Sequence, residues 1–220
     1  RDVADQVVSR LLGVVPDAIS RAWIEPAGGN GAFIDAAREV GVREIVSFDI
    51  EPRHPEVERG DFLAQELNVT SAVSIGNPPF GRNNALSVPF FNHAARYSDH
   101  IAFIVPRSWR KWSVVNRLDR HFHLISDEDL SIDYVDAAGS SDYAKTYLQT
   151  CMQIWERQDE SRAKVAVLDR GVVAKCTPED ADVSLTIFGF GCGAVKTDFP
   201  RHRVTTDIYP SDFGWTADWE

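Results

Sequence analysis

Ala72-Val73-Ser74-Ile75-Gly76-Asn77-Pro78-Pro79-Phe80 is the stretch from which the rest of the chain is read. Residues 72–75 are mainly apolar and short, as in a buried strand. Two prolines directly after a strand stop it and fix the backbone. Pro78 has no N–H, and its carbonyl is held in one direction. Asn77 sets a side-chain carbonyl beside it, and Phe80 adds a flat apolar face. Two acceptors and an aromatic plate at a strand end suit a planar base carrying an amino group. Alone, the tetrapeptide also reads as a simple turn, and its weight comes from the sequence upstream.

Strand–helix units lie on both sides. Residues 22–24 read as a short strand ending at Glu25-Pro26. Gly28-Gly29-Asn30-Gly31 then turns into a helix over 32–40 that stops near Gly41. Residues 44–48 are a second strand ending at Asp49, and 62–67 a short helical segment. Residues 86–97 read as a helix, and 101–105 as a buried strand ended by Pro106. Ahead of these, Val3, Val7, Val8, Leu11 and Leu12 have helical spacing, with Gly13 as the stop. The alternation predicts an α/β fold, a mostly parallel sheet with helices on both faces. Past Phe122 the pattern changes. Residues 130–135, 147–155, 164–168 and 183–190 read as strands that complete the sheet edge and then form a small C-terminal β-rich appendage. A boundary at Gln158-Asp159-Glu160-Ser161 divides the chain into domains 1–157 and 158–220.

Composition sets bounds. With 220 residues, 44% of them hydrophobic, the chain can bury a substantial core. No apolar run approaches a membrane span and no signal peptide is visible, although the chain opens on Arg1, so that absence carries little weight. Cys151, Cys176 and Cys192 are an odd number without a C-x-x-C pair. That is neither a disulfide framework nor a zinc ribbon, and it fits a reducing cytoplasm. His121 and His123 could share a strand face but make no metal motif, so no metal is expected. The net charge of −10 argues against a large nucleic-acid footprint, because phosphate binding is dominated by Lys and Arg. It permits a local basic patch, or a partner subunit that supplies the positive surface.

Four polar sites fall at the ends of successive strands, the edge where open α/β sheets bind ligands. Glycines at 28, 29 and 31 let the backbone approach a ligand, though a plain strand-to-helix turn would use them too. They do not form G-x-G-x-x-G, since Phe33 and Ile34 follow the last glycine. Asp49 is placed to accept ribose hydroxyls or to cap a helix. Asp61, in Gly60-Asp61-Phe62-Leu63, could accept from an adenine amino group while Phe62 packs on the ring; it too could be a helix cap. Asn77 to Phe80 is the fourth site.

In order and spacing these residues resemble the class I S-adenosylmethionine-dependent methyltransferases, and within them the gamma-type enzymes that methylate adenine N6 in DNA. The resemblance covers roughly residues 1–157. It implies a Rossmann-like sheet and S-adenosylmethionine as cofactor, held by Glu25, Ala27, Gly28, Gly29, Asn30, Gly31, Phe33, Asp49, Ile50, Asp61 and Phe62. It implies catalysis by Asn77, Pro78, Pro79 and Phe80, with the base flipped out of a duplex. The chain departs from the usual pattern in Glu25 for Asp, Asn30 for Ser and Phe80 for Tyr. Only about 60 residues remain for target recognition. The same chemistry on RNA, at adenine N6 or guanine N2, stays open. So do glutamine N5 methylation of a protein and a non-catalytic subunit of the same fold.

Basic residues gather after Pro106. Arg107, Arg110, Lys111, Arg117 and Arg120 are interleaved with Trp109 and Trp112. Such a mixture suits a flipped base or single strand, so Arg107, Trp109, Arg110 and Lys111 are candidates for substrate binding. A solvated helix face with two core tryptophans would look the same. Arg82-Asn83-Asn84 reads as a loop that closes over substrate, and Gly189-Phe190-Gly191-Cys192-Gly193 as a recognition loop or a β-turn.

Overall fold

The computed structural model describes residues 2–132, 149–168, 173–185, 195–198 and 214–217. They divide into two compact units, 1–165 and 166–220. In the first, helix α1 (Asp2–Val14) precedes strand β1 (Trp23–Glu25), helix α2 (Ala32–Glu39) and strands β2 (Ile45–Asp49), β3 (Glu58–Arg59) and β4 (Ala72–Gly76). Helix α3 (Ser87–Ala94), strand β5 (Ser98–Pro106), the short helix α4 (Trp112–Val115) and strands β6 (Phe122–Leu130) and β7 (Thr150–Arg157) follow.

Seven strands form one sheet in the order β3-β2-β1-β4-β5-β7-β6. The first five are mutually parallel, and β7 lies antiparallel between β5 and β6. Alternate residues of the central strands face two cores. Val73, Ile75, Ala102, Ile104, Met152 and Ile154 pack with α1 and α2, whereas Ile101, Phe103, Val105, Cys151 and Trp155 pack with α3. Burial on both faces is why β4 and β5 read as near-continuous apolar runs. Ser74, the polar exception in β4, is buried but meets the Ser98 hydroxyl at 2.8 Å. Burial also pushes the Cys151 thiol up to about 12, so it serves as a small core residue.

Three expectations are corrected. The strand expected over 130–135 is instead β6, over Phe122–Leu130. It carries Asp127, Glu128 and Asp129 because it is the sheet's outer strand, where charged side chains reach water; residues 133–148 lie outside the described ones. Residues 164–168 form no strand, and Val165, Val167 and Leu168 are exposed. The first unit extends past 157 because the following segment is tied back to it. Gln158 N–H donates to His121, Arg162 N–H to Arg120, and Asn116 and Val165 exchange two hydrogen bonds. The Arg162 guanidinium also donates to the carbonyls of Val115, Leu118 and Phe122, capping the end of α4.

In the second unit, strands β8 (Val173–Cys176), β9 (Val183–Leu185), β10 (Val195–Lys196) and β11 (Gly214–Ala217) form an antiparallel sheet in the order β10-β9-β11-β8. This is the expected β-rich appendage. Residues 189–194, including Cys192, lie outside the described ones. Among the described residues no helix is long and apolar enough to cross a membrane, and no group of His, Cys, Asp and Glu could hold a metal ion.

Candidate active site

The strand order reverses between β1 and β4, and the crevice beyond that switch point is where open α/β sheets bind ligands. The two motifs that meet there are the glycine turn after β1 and the Asn-Pro-Pro-Phe turn after β4. β1 and β4 pair with Trp23 beside Val73 and Ile24 beside Ser74, a register that carries Pro26 to the level of Gly76. A Cβ on Gly76 would lie 3.6 Å from Pro26 Cδ and 3.7 Å from Glu25 Cγ, so the two turns touch.

The glycine turn is held from below and left open at one position. Gly28 N–H donates to Phe48 (2.9 Å), and a Cβ at Gly28 would strike Ser47 Oγ at 2.1 Å and Val57 at 2.8 Å. Here glycine is required for close packing. Gly29 has φ +50°, and a Cβ there would find only Asp49 Oδ2, at 3.8 Å, within contact range. That leaves backbone open to a ligand. Gly31 has φ +78° and lies under the ring of His54, and Arg53 N–H donates to the Gly29 carbonyl at 2.8 Å. The segment after β2 therefore folds over the turn.

Asp49 organises this end of the site. Its Oδ2 accepts from Gly29 N–H at 2.8 Å and its Oδ1 from Glu51 N–H at 2.8 Å. Each carboxylate oxygen has two acceptor sites, so one on each remains for further donors such as the hydroxyls of a ribose. Ile50, next in sequence, is 69% exposed and offers an apolar face beside it. Ala27 and Asn30 belong to the same turn, Asn30 at its exposed outer side.

Glu25 is 1% exposed, and Ser47 Oγ donates to its Oε2 at 2.9 Å. Burial pushes its carboxyl up to about 7; the Ser47 bond opposes the rise, and the charges of Asp49 and Asp35 add to it. Sequence reasoning passed over Ser47 and His54. Ser47 did leave a signal, as a hydroxyl inside an otherwise apolar strand.

The Asn-Pro-Pro-Phe turn carries an unsatisfied atom. Asn77 Oδ1 is buried without a hydrogen-bond partner among the described residues. Pro78 is buried, Pro79 exposed and Phe80 half-buried. The Phe80 carbonyl accepts from Leu86 and Ser87 N–H, both at 3.3 Å.

Other expected site residues sit elsewhere. Phe62 is 1% exposed and packs edge-on to His93 at 4.8 Å and against Phe90 at 5.6 Å, so its ring is committed to the core and cannot cover an adenine. Asp61 is the cap of the turn Phe62–Ala64, accepting from Leu63 N–H at 3.0 Å. Phe33 is a core residue of α2, with only its backbone near the turn. Trp109 is fully buried, donates to Ser87 Oγ and packs on Phe91 at 5.6 Å; it is core and not a substrate platform. Arg110 is paired with Asp127 (2.6 Å) and Asp129 (2.8 Å), and its hydrogen bond holds the Asp127 carboxyl below the ordinary range. Arg107 is paired with Asp129 and Gln149. Lys111 is exposed. Two of the candidate substrate-binding arginines are thus paired with acids of strand β6. Arg82-Asn83-Asn84 is a tight turn whose Asn84 is buried, not an open loop.

No family model matches the chain. Over 84 residues it is 29% identical to the Type II methyltransferases M.HincII and M.HindII of Haemophilus influenzae. That stretch is 37% of this chain and 17% and 16% of those proteins, so the chain matches only a small part of their length. A Pyrococcus horikoshii protein described as an RNA methyltransferase superposes with a TM-score of 0.55 at 14% identity, over 71% of this chain and 84% of its own. Thermoplasma acidophilum 1320 gives 0.53 at 17% identity, over 70% and 86%. A protein of Listeria monocytogenes, described as a class I S-adenosylmethionine-dependent methyltransferase, gives 0.50 at 14%, over 76% and 63%. At such identities the likeness is one of fold. The seven-stranded sheet, its strand order and these neighbours together identify the Rossmann-like fold of the class I methyltransferases.

Proposed function

We propose that this chain transfers a methyl group from S-adenosylmethionine to the N6 amino nitrogen of adenine in DNA. The observation that carries this reading is Asn77 Oδ1, buried without a hydrogen-bond partner among the described residues, on the residue that precedes Pro78. Leaving a buried acceptor unsatisfied costs about 1–3 kcal/mol. A substrate amino group would satisfy it, and Pro78 would take the second proton.

S-adenosylmethionine, when bound, supplies a methyl carbon already activated by the sulfonium, so the chain needs no nucleophile of its own. Asp49 would hold the ribose with its two remaining acceptor sites, Ile50 would lie along the adenine, and the open backbone at Gly29 would let the cofactor approach. Accepting both N–H bonds of the substrate amino group at Asn77 and Pro78 draws its lone pair back onto nitrogen. As the N–C bond forms and the S–C bond breaks, the surplus proton leaves to water. Phe80 would stack on the base, worth roughly 1–3 kcal/mol. Positioning and electrostatics supply the rate. Because Arg107 and Arg110 are paired with acids, the charge that binds the nucleic-acid backbone would come from a partner subunit.

The test is transfer of labelled methyl from S-adenosylmethionine to matched pools of DNA, RNA and protein, with nucleoside analysis of the product. N6-methyladenine in DNA is the expected outcome. Label confined to RNA would change the polymer, and label confined to protein would overturn the adenine reading.

A further inference from the structure

The turn that follows Phe80 is built from two consecutive residues in a conformation that side chains disfavour. Asn83 has φ +55° and Asn84 φ +59°, both left-handed, and asparagine is among the few non-glycine residues that visit this region. Such a turn persists where its surroundings over-determine it. Here they do. Asn84 is 6% exposed, its Nδ2 donates to Ser108 Oγ at 3.1 Å, and that hydroxyl lies 3.4 Å from Asn84 Oδ1. Arg117 donates to the Asn83 carbonyl at 3.1 Å, and Trp109 Nε1 to Ser87 Oγ at 3.1 Å. Three side chains from the segment after β5 thus grip the segment 83–87.

That segment in turn holds the Asn-Pro-Pro-Phe turn. Leu86 and Ser87 N–H both donate to the Phe80 carbonyl, and Gly81, at φ +66°, leaves no room for a Cβ beside Leu86. Hydrogen bonds join Ser108 to Asn84, the backbone runs on from Asn84 to Leu86 and Ser87, and their N–H groups reach the Phe80 carbonyl. We propose that the Asn84–Ser108 pair is a positioning clamp that fixes Phe80 and the Pro78 carbonyl in the orientation that receives the substrate base. Neither residue touches the cofactor turn after β1. The clamp therefore acts on the base and not on S-adenosylmethionine. Its catalytic consequence rests on the methyl-transfer reading, but its mechanical part does not.

The test uses Ser108→Ala, with Asn84→Gly as a second variant that keeps the left-handed backbone and removes only the side chain. Hydrogen exchange of the Leu86 and Ser87 amides should rise about tenfold, the loss of one ordinary hydrogen bond. The amides of Ile75 and Ala102 in the central strands should keep their protection. In methyl transfer, kcat should fall about tenfold with the Kd for S-adenosylmethionine unchanged, and Ser108→Thr, which keeps a hydroxyl, should restore both readouts. Unchanged exchange at Leu86 and Ser87 would overturn the clamp. So would exchange that rises equally throughout the sheet, which would mark a merely structural pair. If the wild-type chain methylates nothing, the proposed function fails while the exchange measurement still decides the clamp.

Discussion

Replacing Glu25 by Gln should make the protein more stable at alkaline pH and leave it nearly unchanged in acid. The carboxyl is buried at the end of β1 and is pushed from an ordinary 4.5 to about 7, chiefly by loss of solvation. Between these values the folded chain binds a proton that the unfolded chain has released. Stability therefore falls as pH rises through this window. The full penalty, present above about pH 7, is about 3 kcal/mol, a large share of a typical 5–15 kcal/mol. Glutamine keeps an oxygen to accept the Ser47 hydroxyl and has no charge to desolvate. The assay is urea denaturation of both proteins at pH 5, 6, 7 and 8, followed by fluorescence of the buried Trp23, Trp109 and Trp155. The two should agree within about 1 kcal/mol at pH 5. By pH 8 Glu25→Gln should be the more stable by about 3 kcal/mol. Parallel pH profiles would show that Glu25 titrates alike in both states, and the burial argument would be refuted.

Asn77→Ala should lower methyl transfer at least about 100-fold while the cofactor Kd, measured by calorimetry, changes less than about twofold; full activity would remove Asn77 from the mechanism. Asp49→Ala should weaken S-adenosylmethionine binding by about tenfold or more, because it also releases Gly29 N–H. Unchanged affinity would remove Asp49 from the ribose site. Trp109→Ala should destabilise the fold by about 3–5 kcal/mol, as for other large core truncations; a loss below about 1 kcal/mol would contradict its place in the core.

The local order of elements was legible in the chain. β1, β2, β4 and β5 are buried on both faces or end at glycine, proline or acid, so their apolar runs and stops are local features that need no partner to be read. The glycine turn, Asp49 and Asn77-Pro78-Pro79-Phe80 were legible for the same reason: backbone freedom and backbone rigidity are properties of single residues. Aromatic and charged residues behaved differently. Phe62 and Trp109 stood beside functional motifs and were expected to face a ligand, yet both point into the core. Arg107 and Arg110 read as substrate-binding residues, but β6 brings Asp127 and Asp129 against them. β6 itself was misplaced because an edge strand does not need an apolar pattern.

Tertiary structure alone decided which of two equally good uses each side chain took, since burial and pairing depend on segments distant in sequence. It placed Glu25 beside Gly76, left Asn77 Oδ1 buried without a partner among the described residues, and joined Asn84 to Ser108 across 24 residues. The chain by itself determined the α/β pattern and the residues at the strand ends. Folding determined which of them face a ligand, because a strand end becomes a site only when its neighbours in the sheet close around it.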